Sequence, residues 1–226
     1  EICEIKKCRI CGNDQFITVI DLDDQALSGR FPRKRDPDPP RAPLVLVMCD
    51  TTKKPGACGL VQLKHSVPPL EMYTHEYGYR SGINQTMRDH LAEITKKVQD
   101  LVRLEKSDIV LDIGSNDGTL LKSYARDDIR RIGMDPGGEQ YRKYYPDNIQ
   151  LVSDFFTAAN FKAVFPRKKA KIITSIAMFY DLESPMAFVK DIESVLADDG
   201  VWHFEQSYMP SMLRTNSYDT ICHAHL

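Results

Sequence analysis

The feature of this sequence that most constrains its fold is a regular alternation of two patterns after about residue 87. Short apolar, strand-like runs are separated by segments with helical spacing. The runs are IVLDI (109–113), RIGMD (131–135), IQLV (149–152), KIITSI (171–176) and GVWHFEQ (200–206), and helices are expected from about residues 117, 139, 158 and 185. Alternation of this kind builds a parallel sheet with helices on both faces. We therefore predict an α/β domain.

One amphipathic helix is expected before the sheet begins. In residues 87–105, MRDHLAEITKKVQDLVRLE, the apolar residues at positions 87, 91, 94, 98, 101 and 102 form one stripe at helical spacing. No window approaches the ~18 to 20 apolar residues of a membrane span, and the N-terminus lacks the apolar core of a signal peptide. These features predict a cytoplasmic chain without membrane contact. A formal net charge of -2 gives no reason to expect general affinity for polyanions.

The first 70 residues differ in character, being rich in cysteine, proline and charge. Five prolines lie in RFPRKRDPDPPRAP (30–43), a segment predicted to be neither a helix nor a central strand. Short extended pieces flank it: QFITVIDL (15–22), LVLVMC (44–49) and GLVQLKH (59–65). A β module this small has little core and usually needs a covalent or metal cross-link.

Four cysteines of this module are the candidate cross-link. Cys8 and Cys11 form a C-x-x-C turn that points two sulfurs at one ion, and Cys49 and Cys58 can complete a tetrahedral four-sulfur site. Zinc (Zn²⁺) suits such a site best, and four thiolates leave no open position, so we predict a structural role. The eight residues between Cys49 and Cys58 exceed the usual spacing, so free or redox-active cysteines are the alternative. Cys3 is expected to take no part.

The turn after the first strand of the alternation is the candidate ligand site. The strand ends near an acid and is followed by Gly114, a small polar turn and Gly118, which permit a sharp turn and close approach of a ligand. In doubly wound sheets, ligands bind beyond the carboxyl ends of the strands. A dinucleotide-binding turn has the spacing G-x-G-x-x-G. Here Asp112 and Asp117 repel a pyrophosphate and favour an ammonium group, such as that of S-adenosylmethionine.

Acids and aromatic residues follow the other strands at the same edge. An acid after the second strand can accept both hydroxyls of a ribose, and the acid and aromatic residue after the third are expected to contact adenine. The predicted cofactor-binding residues are Asp112, Gly114, Asn116, Asp117, Asp135, Pro136, Asp154, Phe155, Met178 and Phe179. Any one of these acids alone is usually a solvated turn residue or a helix cap. Three acids at successive strand ends resemble a class I S-adenosylmethionine-dependent methyltransferase, which implies a Rossmann-like sheet.

Several motifs resemble a narrower family, the zinc-containing sugar C-methyltransferases that act on nucleotide-linked keto-deoxysugars. In chain order they are Cys8-x-x-Cys11, CGLVQL (58–63), YGYRSGIN (77–84), LDIGSNDG (111–118), MFYDLESP (178–185), EQSYMPSML (205–213) and NSYDTICHAHL (216–226). The resemblance runs along nearly the whole chain. It implies a zinc-binding domain at 1–70, an S-adenosylmethionine-binding methyltransferase domain at 71–226, and a nucleotide-sugar substrate.

The resemblance also implies catalytic residues. His225 is expected to remove a proton next to the keto group, with support from His223, and Tyr77 and Tyr79 are expected to position the sugar, the methyl group or the base. The alternatives are an ordinary polar chain end for the histidines and packing of the interdomain link for the tyrosines. Two departures stand out: Ala224 replaces the glutamate of the family's H-E-H motif, and the family's C-terminal sugar-nucleotide domain and last sheet strands are expected to be missing. We therefore expect a fragment or a truncated product.

Two other functions compete with the sugar C-methyltransferase. One is a truncated or inactive module that binds S-adenosylmethionine without turnover, favoured by Ala224. The other is RNA modification, favoured by the basic segments RFPRKR (30–35) and FPRKKAK (165–171), although neither has an aromatic stacking platform. Trp202 and Phe204 are expected in the core, and Glu205 faces the substrate or caps the next turn. We expect a monomer that binds neither nucleic acid nor membrane.

Overall fold

The computed structural model describes residues 2–28, 34–72, 78–218 and 220–226, with backbone alone for Leu70 and Glu71. The chain divides into two compact units, each built from separate stretches. The first unit comprises Glu1–Gly78, Tyr180–Met186 and Gln206–Leu226, and the second comprises Tyr79–Phe179 and Ala187–Glu205. The domain boundary predicted after residue 70 stays a prediction, and this division places the chain end with the N-terminal stretch.

The first unit contains two small antiparallel sheets. Its elements are β1 (Cys3–Glu4), β2 (Phe16–Ala26), β3 (Arg41–Cys49), β4 (Val61–Leu63), β5 (His65–Ser66) and the short helix α1 (Pro69–Met72). Strand β3 lies between β2 and β4, and β1 pairs with β5. Among the described residues, the buried apolar side chains of this unit include two clusters of only four and three residues, which agrees with the expectation of a module with little core.

One prediction for this unit is wrong. The proline-rich segment 30–43 was expected to avoid a central strand, but β3 begins at Arg41 and includes Pro43. Proline is tolerated there because that end of β3 is paired on one side only: Pro43 lies opposite Asp24 on β2, whereas β4 pairs with Leu46, Val47 and Met48. No ladder hydrogen bond from position 43 toward β4 is required.

The second unit is a five-stranded parallel sheet with helices. Its elements are α2 (Gln85–Leu101), β6 (Ile109–Ile113), α3 (Thr119–Lys122), β7 (Arg130–Met134), a 3₁₀ helix (Gly138–Tyr144), β8 (Ile149–Val152), α4 (Ala158–Val164), β9 (Ala170–Ile176), α5 (Pro185–Val195) and β10 (Leu196–Glu205). The strand order is β10-β9-β6-β7-β8, with every neighbouring pair parallel. The order reverses at β6, so a crevice opens beyond its carboxyl end.

The predicted alternation is therefore confirmed, with two local differences. The helix expected from residue 117 is a single turn, α3, and the helix expected from 139 is a 3₁₀ helix. Helix α2 begins where Asn84 Oδ1 accepts a hydrogen bond from Thr86 N at 2.8 Å, and its apolar stripe joins the core through Leu91, Ile94 and Val98. A last short helix, α6 (Met209–Thr215), lies in the first unit.

Candidate functional site

Asp112 is buried at the carboxyl end of β6. Its side chain is 4% exposed, and its Oδ1 accepts a hydrogen bond from Thr174 Oγ1 at 2.6 Å, because Asp112 lies opposite Thr174 on β9. The pKa of Asp112 is raised to about 7, mainly by burial; the Thr174 hydroxyl opposes this shift and the charge of Asp135 adds to it. A cation brought to this carboxyl group would favour its ionised form.

The turn after β6 depends on two glycines in the left-handed region. Gly114 and Gly118 both have φ of +71°. This conformation is strained for any residue that has a Cβ atom. A Cβ atom on Gly118 would lie 3.0 Å from Tyr145 Cε1, and one on Gly114 would lie 3.4 Å from Met178 Cγ. Met178, which follows β9, therefore lies against one side of the turn.

Asp135 joins this turn to the next one. Its Oδ2 accepts a hydrogen bond from Asn116 N at 2.8 Å, and its Oδ1 accepts one from Gly137 N at 2.7 Å. Burial raises the pKa of Asp135, and the two backbone N–H groups oppose that shift. Each carboxylate oxygen keeps a second lone pair, so Asp135 can organise both turns and still accept hydrogen bonds from a diol. Pro136 lies in the second turn, between Asp135 and Gly137.

Asn116 and Asp117 hold residues 79–82 against the turn. Asn116 accepts a hydrogen bond from Ser81 N at 2.9 Å and donates one to Tyr79 O at 3.0 Å. Asp117 accepts from Gly82 N at 3.1 Å and from the Thr119 hydroxyl at 2.5 Å. These contacts occupy many of the hydrogen-bonding groups of both side chains. Direct contact of Asn116 and Asp117 with a cofactor stays a prediction.

Gly82 leaves no room for a side chain in this contact. A Cβ atom there would lie 2.5 Å from Asp117 Oδ2 and 2.7 Å from Thr119 Oγ1. Gly82→Ala is therefore expected to push residues 79–82 off the turn and to lower the free energy of unfolding by about 1 to 3 kcal/mol, the usual cost of overpacking. Urea unfolding measures this. Ser81→Ala, which keeps the backbone donor, is the matched control, and equal midpoints for both variants would contradict the expectation.

The remaining strand ends carry aromatic side chains. Phe155 is 38% exposed, and Asp154 is exposed and accepts hydrogen bonds from Phe155 N at 2.7 Å and Asn160 Nδ2 at 3.0 Å. Phe179 packs against Trp202 and Phe204, with ring centroids 5.5 and 5.6 Å away.

Three further residues of β10 were assigned from the sequence. Phe204 is 45% exposed, so its predicted core position is wrong: it is the penultimate residue of β10, which pairs only with β9 in the described sheet. Trp202 is half-buried and donates a hydrogen bond from Nε1 to Ser175 Oγ at 2.9 Å. Glu205 ends β10 with its Oε2 2.6 Å from His90 Nε2, so it ties the strand to α2.

The four predicted ligand cysteines of the first unit converge. Their sulfur atoms all lie within 4.8 Å of one another, with Cys8 Sγ 3.6 Å from Cys58 Sγ and Cys11 Sγ 3.5 Å from Cys49 Sγ. Tetrahedral zinc with Zn–S distances of about 2.3 Å separates its sulfurs by about 3.8 Å. The donor set and its spacing therefore fit zinc, with all four positions filled by protein.

Two buried amides support these thiolates. Gln62 Nε2 donates to Cys8 Sγ at 3.2 Å, and Asn13 Nδ2 donates to Cys49 Sγ at 3.3 Å, in the manner of outer-shell partners that orient metal ligands. Burial raises the pKa of Cys8, but backbone N–H groups of Cys11 and Ile10 lower it overall. Burial, with the neighbouring thiols, raises the pKa of Cys58 to about 12. Four thiolates this close need a cation to ionise together.

The predicted catalytic histidines lie in the first unit. His223 is 3% exposed, with Nε2 3.0 Å from Ala42 O and Nδ1 3.4 Å from Ser28 N, so both ring nitrogens are engaged within the protein. His225 is half-buried, and its Nδ1 lies 2.7 Å from Thr220 O. Its Nε2 is the nitrogen on which a base function would depend.

Of the two tyrosines with a predicted catalytic role, the structure describes only Tyr79. Tyr77 lies outside the described residues. Tyr79 belongs to the second unit and has a side chain 47% exposed, while its carbonyl oxygen accepts hydrogen bonds from Asn116 and from the Tyr141 hydroxyl at 2.8 Å. Its backbone is thus fixed to the turn after β6, and its ring is accessible. The catalytic roles of both tyrosines and both histidines stay predictions.

Comparison with models of protein families shows which family the chain belongs to. A model described as "Methyltransferase domain" matches residues 83–226, well over half of the chain. The chain belongs to the methyltransferase family. A second model, described as "Putative zinc binding domain", matches residues 8–73 and contains all four clustered cysteines. The predicted fold class, zinc as a cofactor and the resemblance to zinc-binding methyltransferases are confirmed.

One curated protein is similar to this methyltransferase along almost the whole chain. The C-methyltransferase NovU of Streptomyces niveus is 24% identical over 224 residues, which are 98% of this chain and 52% of NovU. The chain therefore spans about half the length of this relative.

Within the described residues, no helix combines the length and the apolar character needed to cross a membrane.

Solved methyltransferase structures give more distant matches. The plantazolicin methyltransferase BpumL in complex with SAH is 19% identical, with a TM-score of 0.47 over 62% of this chain and 58% of that chain. Coclaurine N-methyltransferase is 12% identical, with a TM-score of 0.40 over 58% of this chain and 40% of that chain. Likenesses this low carry no argument about the site.

Three side chains that contact the end of β6 or the turn after it were not predicted from the sequence. Thr174 was visible only as part of a strand, although it is the hydrogen-bond donor to Asp112. Tyr145 donates hydrogen bonds to Ser115 Oγ and Asn116 O, both at 2.9 Å, and its position in a Tyr-Tyr-Pro segment gave no indication of this. Arg80, in the quoted motif YGYRSGIN, places Nε 3.6 Å from Asp117 Oδ2 and its guanidinium over the Tyr144 ring.

Proposed function

We propose that this chain is the S-adenosylmethionine-dependent part of an enzyme that methylates a carbon of a nucleotide-linked 4-keto-deoxysugar. The observation that carries the proposal is the buried carboxylate pair Asp112 and Asp135 around a left-handed glycine turn at the carboxyl edge of the sheet. This pair suits a ligand with both an ammonium group and a ribose, and S-adenosylmethionine has both. The relative named as a C-methyltransferase supports carbon as the methyl acceptor.

The roles follow from the chemistry of each group. Asp112 faces the ammonium group of the cofactor, because its ionised form is disfavoured by burial and needs a cation. Asp135 accepts the ribose hydroxyls, and Gly114 and Gly118 let the backbone approach the ligand. Aromatic side chains at the neighbouring strand ends, Phe155 and Phe179, enclose the adenine, together with Met178 and Asp154.

Methylation of carbon requires an acceptor carbon with negative charge. A 4-keto sugar provides one when the proton next to its carbonyl group is removed, which gives an enolate. We assign this step to His225 Nε2, because Nδ1 is held by Thr220 O and carries its own proton. Bound S-adenosylmethionine supplies an electrophilic methyl group on a sulfonium centre. Tyr79 and Tyr77 would position the sugar so that its enolate carbon could accept this methyl group, with S-adenosylhomocysteine as the leaving group.

Calorimetric titration with S-adenosylmethionine, and separately with S-adenosylhomocysteine, tests the cofactor site after zinc content has been measured. Micromolar binding of both is expected. Folded, zinc-loaded protein that binds neither would overturn the assignment of Asp112 and Asp135. Exchange of the sugar proton in D₂O without cofactor then tests the base, because enolate formation alone incorporates deuterium.

His225→Gln is expected to lower the rates of deuterium exchange and of methyl transfer by about 10² to 10⁴-fold, the usual contribution of a general base. Cofactor affinity is expected to stay the same. His65→Gln is the matched control, because His65 lies in β5 and has no assigned role. Exchange at the wild-type rate in His225→Gln would assign the base to another residue.

An inactive cofactor-binding module is the second candidate, and Ala224 favours it. The resemblance implies a glutamate at this position, and alanine cannot orient a histidine. Cofactor binding without deuterium exchange on nucleotide keto-sugars would select this alternative. Loss of an orienting carboxylate elsewhere costs orders of magnitude in rate, so exchange assays need long incubation before a negative result is accepted.

A further inference from the structure

Asn116, in the turn after β6, has four polar groups that are each engaged by a different residue. Its N–H donates to Asp135 Oδ2 at 2.8 Å, and its Oδ1 accepts from Ser81 N at 2.9 Å. Its Nδ2 donates to Tyr79 O at 3.0 Å, and its carbonyl oxygen lies 2.9 Å from the Tyr145 hydroxyl. Asn116 therefore joins the turn to three other segments of the second unit.

The backbone of Asn116 lies in the left-handed region, with φ of +49°. Asparagine enters this region more readily than most residues, but it still prefers the right-handed and extended regions. Such a conformation persists when the surrounding structure over-determines it. Rotation of Asn116 out of the region would move its N–H away from Asp135 and its carbonyl oxygen away from Tyr145. These contacts therefore stabilise a turn that the local chain alone would not keep.

Tyr145 is itself fixed in place beside the turn. Its backbone is extended, with φ of −86° and ψ of 119°, as expected for a residue that precedes a proline, Pro146. Its ring lies against Gly118, where a Cβ atom would be 3.1 Å from Tyr145 Cζ. Its hydroxyl lies against Gly133 of β7, where a Cβ atom would be 3.1 Å away. Two positions without a side chain thus make room for the ring and the hydroxyl.

The Tyr145 hydroxyl is a lasting hydrogen-bond donor. A carbonyl oxygen can only accept, so this hydroxyl donates to Asn116 O, and Ser115 Oγ lies at the same distance of 2.9 Å. The pKa of Tyr145 is raised, mainly by burial, and the Ser115 hydroxyl opposes this shift. The charges of Asp112 and Asp135 raise it further. The phenol therefore keeps its proton throughout the neutral range.

We propose that Tyr145 is a positioning residue of the S-adenosylmethionine site, because its hydroxyl holds Asn116 in the left-handed conformation and so keeps the turn after β6 shaped for the cofactor. The N–H of Asn116 in turn fixes the carboxylate of Asp135, which is assigned to the ribose hydroxyls. The inference rests on the proposed function, since cofactor binding gives this shape its purpose. A site that is shaped before binding loses less conformational freedom when the ligand arrives, so its affinity is higher.

Tyr145→Phe, which keeps the ring and removes the hydroxyl, tests the hold on the turn in the zinc-loaded full chain. Amide hydrogen exchange at Ser81, Asn116 and Gly118 is expected to become about tenfold faster, the effect of one lost hydrogen bond. The amides of β6 are expected to exchange as in the wild type, because the change is local. Tyr124→Phe is the matched control: its hydroxyl is buried in the same unit and has no hydrogen-bond partner among the described residues. Wild-type exchange at the turn in Tyr145→Phe would overturn the proposal.

Calorimetry and kinetics then test what the hold does for the cofactor. In Tyr145→Phe, the affinity for S-adenosylhomocysteine is expected to fall roughly three- to tenfold, and KM for S-adenosylmethionine to rise by the same factor. The kcat at saturating cofactor is expected to stay the same, whereas a merely structural role would lower it through loss of folded enzyme. A wild type that binds no cofactor would count against the proposed function alone. A wild type that binds, with an equal affinity in Tyr145→Phe, would overturn the role of Tyr145 alone.

Discussion

Cys49→Ser is expected to unfold the cysteine-rich unit, with a loss of several kcal/mol of stability. Cys49 is fully buried, its sulfur lies 3.5 Å from Cys11 Sγ, and it ends β3, the central strand of its sheet. Structural zinc in small domains contributes a binding free energy of roughly 10 to 16 kcal/mol at neutral pH, and this energy is folding energy. The apolar clusters of this unit are too small to replace it.

Circular dichroism and hydrogen exchange of the β3 amides measure this effect, and atomic absorption gives the zinc content. The wild type is expected to bind one zinc ion and to lose β3 protection when a strong chelator removes it, whereas the parallel sheet of the second unit keeps its own protection. Cys3→Ser, which alters a thiol outside the cluster, is the matched control. Metal-free protein with unchanged β3 protection would contradict a structural zinc site.

The parallel sheet was predictable from sequence because its central strands, β6 and β9, are apolar runs. IVLDI and KIITSI are buried along most of their length, so their composition alone distinguishes them from surface segments. The cysteine cluster was predictable because few residue types hold zinc and the C-x-x-C turn is local. For the strands the deciding information lies within a few residues, whereas the pairing of Cys8 and Cys11 with Cys49 and Cys58 was predictable from residue type.

The contacts that tune the site could not be predicted, because they join residues far apart in the chain. Thr174 is 62 residues from Asp112 and meets it only through the register of β9 against β6. Ser81 and Gly82 are each 35 residues from the side chains that bind them. Local pattern fixes which strands exist, whereas the order and register of the strands decide which side chains meet. The packing of Ala224 against Leu27 and Ala42 likewise follows from tertiary structure alone.

Asp112→Asn is expected to stabilise the fold at pH 8 and to weaken cofactor binding there by 10-fold or more. The pKa of Asp112 is about 7 in the fold, against about 4 in an unfolded chain. The native state therefore binds more protons than the unfolded state between pH 4 and pH 7, so wild-type stability falls as pH rises through this window. Asparagine keeps an acceptor for Thr174 and carries no charge. The gain at pH 8 has an upper bound of about 4 kcal/mol and vanishes near pH 4.

Cofactor binding is expected to favour the ionised form of Asp112, whereas folding favours its protonated form. The ammonium group of S-adenosylmethionine favours ionised Asp112, so wild-type binding below pH 7 must release a proton, and affinity falls by up to about tenfold for each unit of further acidification. In Asp112→Asn this proton release disappears and the affinity is uniformly low between pH 5.5 and 7.5. Urea unfolding at pH 5 and pH 8, and calorimetry in two buffers of different ionisation enthalpy, measure both effects. Asp147→Asn, at an exposed position of the same unit, is the control. A variant less stable than the wild type at pH 8 would show that Asp112 is held ionised by partners in the fold, and its assignment to the ammonium group would then lose its physical basis.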